Sequence, residues 1–226
     1  NFASLTPYGN QIINHANFGL QTYPPAKSQY LVHDAYQMKI KTFLSGYYSG
    51  AQTMRNVLYL QNIIPSPSNQ VDTIQIEFHQ SNSPYSSIYT AKTVLQTNGN
   101  ATVQIPLSLI GSSYYIAIKH RNTIETWSAN PIMIGSITHY DYTNAMNKAY
   151  GSNQIEVSSG VWALYTGDIN QDDNIDLLDN SQLELGIQNF LFGYQIEDLN
   201  GDGNVDLLDG SIIEDNINGF IFSIHP

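Results

Sequence analysis

Twelve oxygen-bearing side chains near the C-terminus stand at spacings that suit a hard cation. Asp168, Asn170, Asp172, Asn174, Asp176 and Asp179 recur as Asp198, Asn200, Asp202, Asn204, Asp206 and Asp209, at a constant offset of thirty residues. Calcium takes about six to eight oxygen ligands. A loop of about twelve residues supplies them from positions 1, 3, 5, 7, 9 and 12, position 7 through its backbone carbonyl. Both segments meet that pattern, so all twelve residues are candidate ligands for two Ca2+ ions. Position 8 pins such a loop to a core, and it is Ile175 in one and Val205 in the other. Position 6 must turn sharply. It is Gly203 in the second loop but Asp173 in the first, and aspartate enters the left-handed region more readily than most residues. The first loop is therefore expected to bind calcium, more weakly than the second.

The charge distribution points the same way. Residues 1–167 carry six acids and eight bases, whereas residues 168–226 carry thirteen acids and neither Lys nor Arg. Such a segment repels itself unless cations hold it. Disorder is the alternative, and Leu177, Leu178, Leu183, Ile187, Phe190 and Phe192, with their later counterparts, argue against it. The repeat runs past the loops: Ser181 matches Ser211, Glu184 matches Glu214, Ile187 matches Ile217 and Phe190 matches Phe220, an internal two-fold repeat. Each loop should lead into a short helix, near residues 180–188 and 210–217, with Asp179 and Asp209 serving as ligand and N-cap together. Residues 190–192 and 220–222 mark a return to extended chain.

The segments Gly167-Asp168-Ile169-Asn170 and Asp198-Leu199-Asn200-Gly201-Asp202-Gly203 resemble the duplicated segments of dockerin domains, which are calcium-dependent loop–helix modules without the entering helix of an EF-hand. Asp at position 12 fits that resemblance, and so does the strand-like run from Gly160 to Gly167 ahead of loop one. The resemblance covers residues 167–223 and implies calcium-dependent folding and docking to a cohesin-like partner. Two features depart from it. Cellulosomal dockerins usually carry small polar residues at positions 10 and 11, where cohesin is read; here these are Leu177-Leu178 and Leu207-Leu208. Their helices usually carry bases, and this segment has none. The leucine pairs are expected to be buried, against the β-region or the other repeat.

The rest of the chain must carry these loops. Residues 36–41 and 71–78 alternate apolar and polar side chains, and runs at 88–94, 101–105 and 114–119 follow, split by turn signals such as Asn98-Gly99 and Gly111-Ser112. Two more strands are expected near 154–157 and 161–165, and a helical turn near 144–149. Short strands at this spacing suggest an Ig-like β-sandwich. Residues 1–30, with Pro7, Gly9, Gly19, Pro24 and Pro25, read as an extended arm. The expected fold is mainly β: the arm (1–30), a β-sandwich domain (31–166) and a small α-helical dockerin-like, EF-hand-type loop–helix calcium module (167–226).

Composition limits partners and location. No run of about eighteen apolar residues is present, so no membrane span is expected. Eight bases against nineteen acids leave no basic face for nucleic acid. Cysteine is absent, so bound metal is one available staple for an exported protein. The chain opens at Asn1 without a signal peptide, and a processed, secreted protein of the extracellular space or cell surface is expected. Residues 114–128 resemble a segment of bacterial secreted surface proteins that often precedes dockerin-like repeats, and no enzymatic activity comes with it.

Catalytic patterns are sparse. His120, Arg121, Glu125 and Trp127 form the best cluster. It reads either as a polar ligand site or as a strand end whose Arg121 pairs with Glu125 while Trp127 enters the core. His33-Asp34, His79 and His139 are isolated and not in metal spacing. Nucleophile elbow, phosphate loop and HExxH patterns are absent, and the six acids of the β-region are too scattered for a glycosidase pair. The expectation is a protein that is not an enzyme, with no catalytic residues and Ca2+ as its cofactor. Three classes fit. The favoured one is a filament, sheath or adhesin subunit that self-associates through the arm or engages another surface protein. The others are a dockerin-type adaptor for a cohesin-like partner and a carbohydrate-binding module for a polysaccharide. The adaptor predicts exposed leucine pairs, the subunit predicts arm contacts with another copy, and the sugar binder predicts a row of solvent-facing tyrosines.

Overall fold

The computed structural model describes residues 36–65 and 68–226 and, of the first thirty-five residues, the backbone of strands β1 (Ile12–His15) and β2 (Gly19–Thr22), an antiparallel pair. The remainder of the arm expected over residues 1–30, its part in self-association included, lies outside the described residues. The chain divides into two compact units, Asn1–Ala35 and Tyr36–Pro226. The second unit includes both the β-region and the acidic two-fold repeat.

In chain order that unit contains β3 (Gln37–Lys41), β4 (Tyr48–Gly50), β5 (Thr53–Met54), α1 (Val57–Leu60), β6 (Gln70–Gln80), β7 (Ser87–Gln96), β8 (Asn100–Gln104) and β9 (Ser113–His120). It continues with β10 (Thr123–Trp127), β11 (Ile132–Met133), β12 (Ile137–Asp141), β13 (Ile155–Ser158), β14 (Val161–Ala163), α2 (Leu177–Gln188) and α3 (Leu207–Asn218). Mainly β structure follows from the period-two pattern. Strands β10, β9, β6 and β7 lie side by side, all antiparallel, with β11 added to β9. A second sheet has the order β12-β3-β8, with β3 parallel to β12 and antiparallel to β8. Met38, Ile40 and Val103 from the second sheet and Ile74, Ile76, Phe78, Leu95, Ile116 and Ile118 from the first are buried in one cluster. Each such side chain contributes about 1.5–3 kcal/mol when removed from water, so the shared face of the two sheets is the main source of stability.

Several strands depart from the period-two rule. In β12 the apolar Ile137 is exposed and Thr138 is buried, so its apolar pattern does not mark its inner face. In β10 four of five residues are buried, and the register slips between Thr123 and Thr126. Strand β6 carries a similar slip at Gln70/Asp72, and both Val71 and Asp72 are buried there. Such bulges re-aim side chains next to sites.

Helices α2 and α3 begin three residues earlier than expected. Asp176 and Asp206 adopt extended backbone and are the N-caps, accepting from the Leu178 and Leu208 N–H groups at 2.7 and 2.8 Å. Asp179 and Asp209 accept in return from the Asp176 and Asp206 N–H groups at 2.9 and 3.0 Å. This is a capping box, so the cap belongs to loop position 9 and not to position 12. Ile169, Ile175, Leu183, Leu199, Val205 and Ile213 form a second apolar cluster with Ile124 of β10. The Ile175 N–H donates to the Ile221 carbonyl at 2.9 Å and the Val205 N–H to the Leu191 carbonyl at 3.1 Å. Each loop is thereby paired with the segment that follows the other helix.

Candidate functional site

The two loops wind in the same way. In loop one, Asp168 Oδ1 and Asn170 Oδ1 accept from the Asp172 N–H at 3.2 and 2.9 Å, and Asp172 Oδ1 accepts from the Asn174 N–H at 3.1 Å. In loop two, Asp198 Oδ1 and Asn200 Oδ1 accept from the Asp202 N–H at 3.2 and 2.9 Å, and Asp202 Oδ1 from the Asn204 N–H at 3.0 Å. Asp179 Oδ1 receives the Ile169 and Asn170 N–H groups at 2.7 and 3.0 Å; Asp209 Oδ1 receives those of Leu199 and Asn200 at 2.8 and 3.0 Å. Side chains from positions 1, 3, 5 and 12 therefore hold each loop through its own backbone. Position 6 is left-handed in both loops, Asp173 at φ 70° and Gly203 at φ 91°.

Asp168, Asp179, Asp198 and Asp209 are buried. Among the described residues no loop-one carboxylate is in salt-bridge contact with a base. Burial, and then the Asp179 charge, push the Asp168 carboxyl up to about 7. Burial pushes Asp209 up to about 6 and raises Asp198 despite the hydrogen bond from Gln61. Burying carboxylates is expensive, and the backbone N–H groups that Asp198 and Asp209 accept do not bring their carboxyls back to the ordinary range; all-oxygen donor sets suit a hard cation over a thiolate- or imidazole-seeking metal. The donor chemistry of both loops thus fits calcium: Asp168, Asn170, Asp172, Asn174, Asp176 and Asp179 for one ion, and Asp198, Asn200, Asp202, Asn204, Asp206 and Asp209 for the other. When bound, the ion supplies positive charge among these acids. Among the described residues no three carboxylates of either loop bring one oxygen each within 4.8 Å of one another. They are turned onto backbone N–H groups, so convergence on an ion includes their rotation.

Loop two leans on the β-region. Arg55 Nη1 donates to the Asn200 carbonyl and to Asn200 Oδ1 at 3.1 and 2.7 Å, and lies 3.8 Å from Asp202 Oδ2. Gln61 Nε2 donates to Asp198 Oδ2. Asn122 Nδ2 donates to the Ile196 and Asp198 carbonyls at 3.1 and 3.3 Å. The Gly46 N–H donates to Thr166 Oγ1 at 3.0 Å, and a Cβ at Gly46 would strike the Leu199 carbonyl oxygen. Gly46→Ala is therefore expected to destabilise the protein by about 1–3 kcal/mol, the usual range for overpacking. Urea unfolding measures this as a lower midpoint at unchanged slope, and an unchanged midpoint would show that the contact yields freely.

The leucine pairs correct an expectation. Leu177, Leu178, Leu207 and Leu208 are 69, 63, 81 and 65 % exposed, not buried against the β-region or the other repeat. The capping box places them at the start of each helix, whose buried side is carried instead by Leu183 and Ile213. Phe190, Phe192, Phe220 and Phe222 are exposed as well, while Leu191 and Ile221 between them pack against the repeat's core. Asn174, Leu177, Ile217, Phe220 and Phe222 line a largely apolar groove of about 340 Å³.

The catalytic-looking cluster splits in two. His120 Nε2 lies 3.1 Å from Asp72 Oδ2, and Arg121 Nε donates to the same oxygen at 2.9 Å. Glu125 instead meets Lys119 Nζ at 2.6 Å and accepts from Trp127 Nε1 at 2.6 Å. The expected Arg121–Glu125 pair does not form, because the slip in β10 separates their directions. Trp127 is buried, as one reading had it. Asp72 is the partner that sequence spacing did not suggest; its local signal is an acid beside Val71 that is buried along with it at a register slip of β6. His79, expected to be isolated, lies with Glu77 and Glu125. His139 is exposed, and His33-Asp34 lies outside the described residues.

No family model matches the chain, and no curated protein does. Solved structures similar in shape include the following two. One is a chain of the Coh3ScaB-XDoc_M2ScaA complex, a C-terminal interface mutant of a type II cohesin-X-dockerin complex from Acetivibrio cellulolyticus. It is 15% identical, with a TM-score of 0.47 over 80% of this chain and 94% of that one. The other is a chain of the corresponding N-terminal interface mutant, the Coh3ScaB-XDoc_M1ScaA complex, 14% identical with a TM-score of 0.45 over the same shares. Likeness at this level identifies neither a family nor a partner. Among the described residues no helix is long and apolar enough to cross a membrane.

Proposed function

We propose that the protein is a non-catalytic extracellular docking module, an Ig-like β-sandwich joined to a dockerin-like repeat. Two calcium ions bound by Asp168 to Asp179 and Asp198 to Asp209 hold the repeat, which offers an apolar face to a partner protein. The observation that carries this reading is the exposure of Leu177, Leu178, Leu207 and Leu208. Exposed apolar patches on soluble proteins mark interaction sites, and these recur at the same position of each repeat. The surrounding segment has thirteen acids and no Lys or Arg, so the face suits a partner with an apolar centre and a basic rim. The same charge opposes pairing of two copies through it, which favours an adaptor over a self-assembling subunit. A cohesin-type domain is the partner class that the dockerin resemblance indicates. A sugar-binding reading has less support. Among the described tyrosines Tyr194 is the most exposed at 37 %, and its hydroxyl donates to Asp72.

Calorimetric titration of the calcium-loaded chain with a set of cohesin domains tests this. At least one is expected to bind, and EDTA should abolish the binding. Hot-spot residues contribute about 2 kcal/mol or more, so Leu178→Lys combined with Leu208→Lys should weaken binding by about thirtyfold or more at an unchanged melting temperature. Absence of binding by every domain, or binding that the double variant leaves intact, overturns the proposal.

A further inference from the structure

Glu77 and His79 lie two residues apart on β6, which places both side chains on one face. Glu125 reaches them from β10. Between the two strands runs β9, where Ala117 is paired with both Glu77 and Trp127; a methyl group is too small to keep the outer residues apart. One ligand atom from each of Glu77, His79 and Glu125 lies within 4.8 Å of the other two. The three side chains are only 10–12 % exposed.

The hydrogen bonds around the three groups constrain what stands at their centre. His79 Nδ1 is 2.8 Å from the Tyr85 carbonyl oxygen. A carbonyl only accepts, so Nδ1 carries a proton. That leaves Nε2 facing Glu77 Oε2 at 3.0 Å. An imidazole lone pair and a carboxylate oxygen cannot rest against each other unaided, so a proton or a metal ion lies between Nε2 and Oε2. Both carboxylates are also anchored: Gln75 Nε2 donates to Glu77 Oε1 at 2.6 Å, Trp127 Nε1 donates to Glu125 Oε1 at 2.6 Å, and Lys119 Nζ lies 2.6 Å from Glu125 Oε2, an ammonium that competes with a metal ion for this carboxylate. Metal-ligating imidazoles and carboxylates are oriented by outer hydrogen bonds of this kind. Tetrahedral ligands about 2.0–2.1 Å from zinc stand about 3.3 Å apart, close to the His79–Glu77 separation.

We propose that Glu77, His79 and Glu125 bind a divalent transition metal, with zinc as the best match to one imidazole and two carboxylates. This site is separate from the two loops, whose donors are all oxygen. Its ion would tie β6 to β10 across β9.

The test uses the full chain in excess calcium chloride, so that the loops are saturated, titrated with cobalt(II) chloride and then displaced with zinc chloride. One equivalent of cobalt should bind with the visible spectrum of a low-coordinate nitrogen–oxygen site. It should also quench Trp127, whose ring is 4.0 Å from the His79 ring, and zinc should displace it. His79→Gln is expected to weaken binding by about tenfold or more, with Glu77→Gln as the second variant should His79→Gln fail to fold. His139→Gln should leave binding unchanged. No stoichiometric binding in the parent protein, or binding that survives both ligand variants, would mean that only a proton lies between His79 and Glu77 and would overturn the proposal.

Discussion

Excess EDTA at neutral pH is expected to erase the helical signal of α2 and α3 while the sheets persist. The repeat has a small core of its own, seven buried apolar residues including Ile124 from β10. A body that size is marginal without a staple, and it must order two twelve-residue helices. An ion present at about a thousand times its Kd adds about 4 kcal/mol per site, enough to decide whether the repeat is folded. Far-ultraviolet circular dichroism reads the helices, and Trp127, 5.5 Å from the His225 ring of the C-terminal tail, reads their docking. The calcium-free protein should also respond to pH with a definite sign. Asp168 is pushed up to about 7 and Asp209 to about 6, both above the unfolded carboxyl. The calcium-free fold therefore binds more protons than the unfolded chain between about pH 4 and about pH 7. Their contribution is complete below that window and is lost as pH rises through it. In EDTA the urea midpoint should fall between about pH 5 and about pH 7, whereas with calcium it should rise or hold, since deprotonated ligands bind the ion. A calcium-free midpoint that climbs across the same interval would contradict the assignment.

That result depends on residues whose chemistry is local, which is why the loops are legible in sequence. A side-chain oxygen that accepts from its own loop's backbone at a fixed offset needs no knowledge of the fold, and the duplication states the offset twice. Alternation is equally local, and it locates β3, β6, β7, β8 and β9. The rest required three dimensions. Asp176 and Asp179 are both acceptable caps by type, and only backbone geometry selects Asp176. The exposure of Leu177 and Leu178 is invisible to periodicity, which identifies apolar residues but not whether the same chain covers them. A spacing of four residues sets Glu125 beside Arg121, yet the slip between Thr123 and Thr126 turns it to Lys119 and the β6 residues. His79 and Glu125 belong to different strands with a third between them, so no sequence spacing joins them.

Asp72→Ala is expected to destabilise the protein by about 3–5 kcal/mol, the range for stripping one partner from a buried ion pair. Asp72 is 1 % exposed. It receives Arg121 Nε at 2.9 Å and the Tyr194 hydroxyl, with His120 Nε2 at 3.1 Å. Burial alone would raise its carboxyl, but His120, Arg121 and Tyr194 together hold it well below the usual carboxylate range. A depressed carboxyl contributes stability that is complete above the unfolded value and is lost as pH falls toward the folded one. The gap between parent and variant should thus be full at neutral pH and shrink below about pH 4. The damage should also extend past the β-region. Arg121 donates to the Gln195 carbonyl and stacks 4.2 Å from the Tyr194 ring centre, so an unpaired Arg121 loosens the segment that enters loop two. An Asp72→Ala, Arg121→Met double-mutant cycle separates the pair from its surroundings. Removing both charges should recover part of the loss, because replacing a buried pair with apolar groups is milder than orphaning one member. Additive losses in the cycle would show that Asp72 and Arg121 act independently.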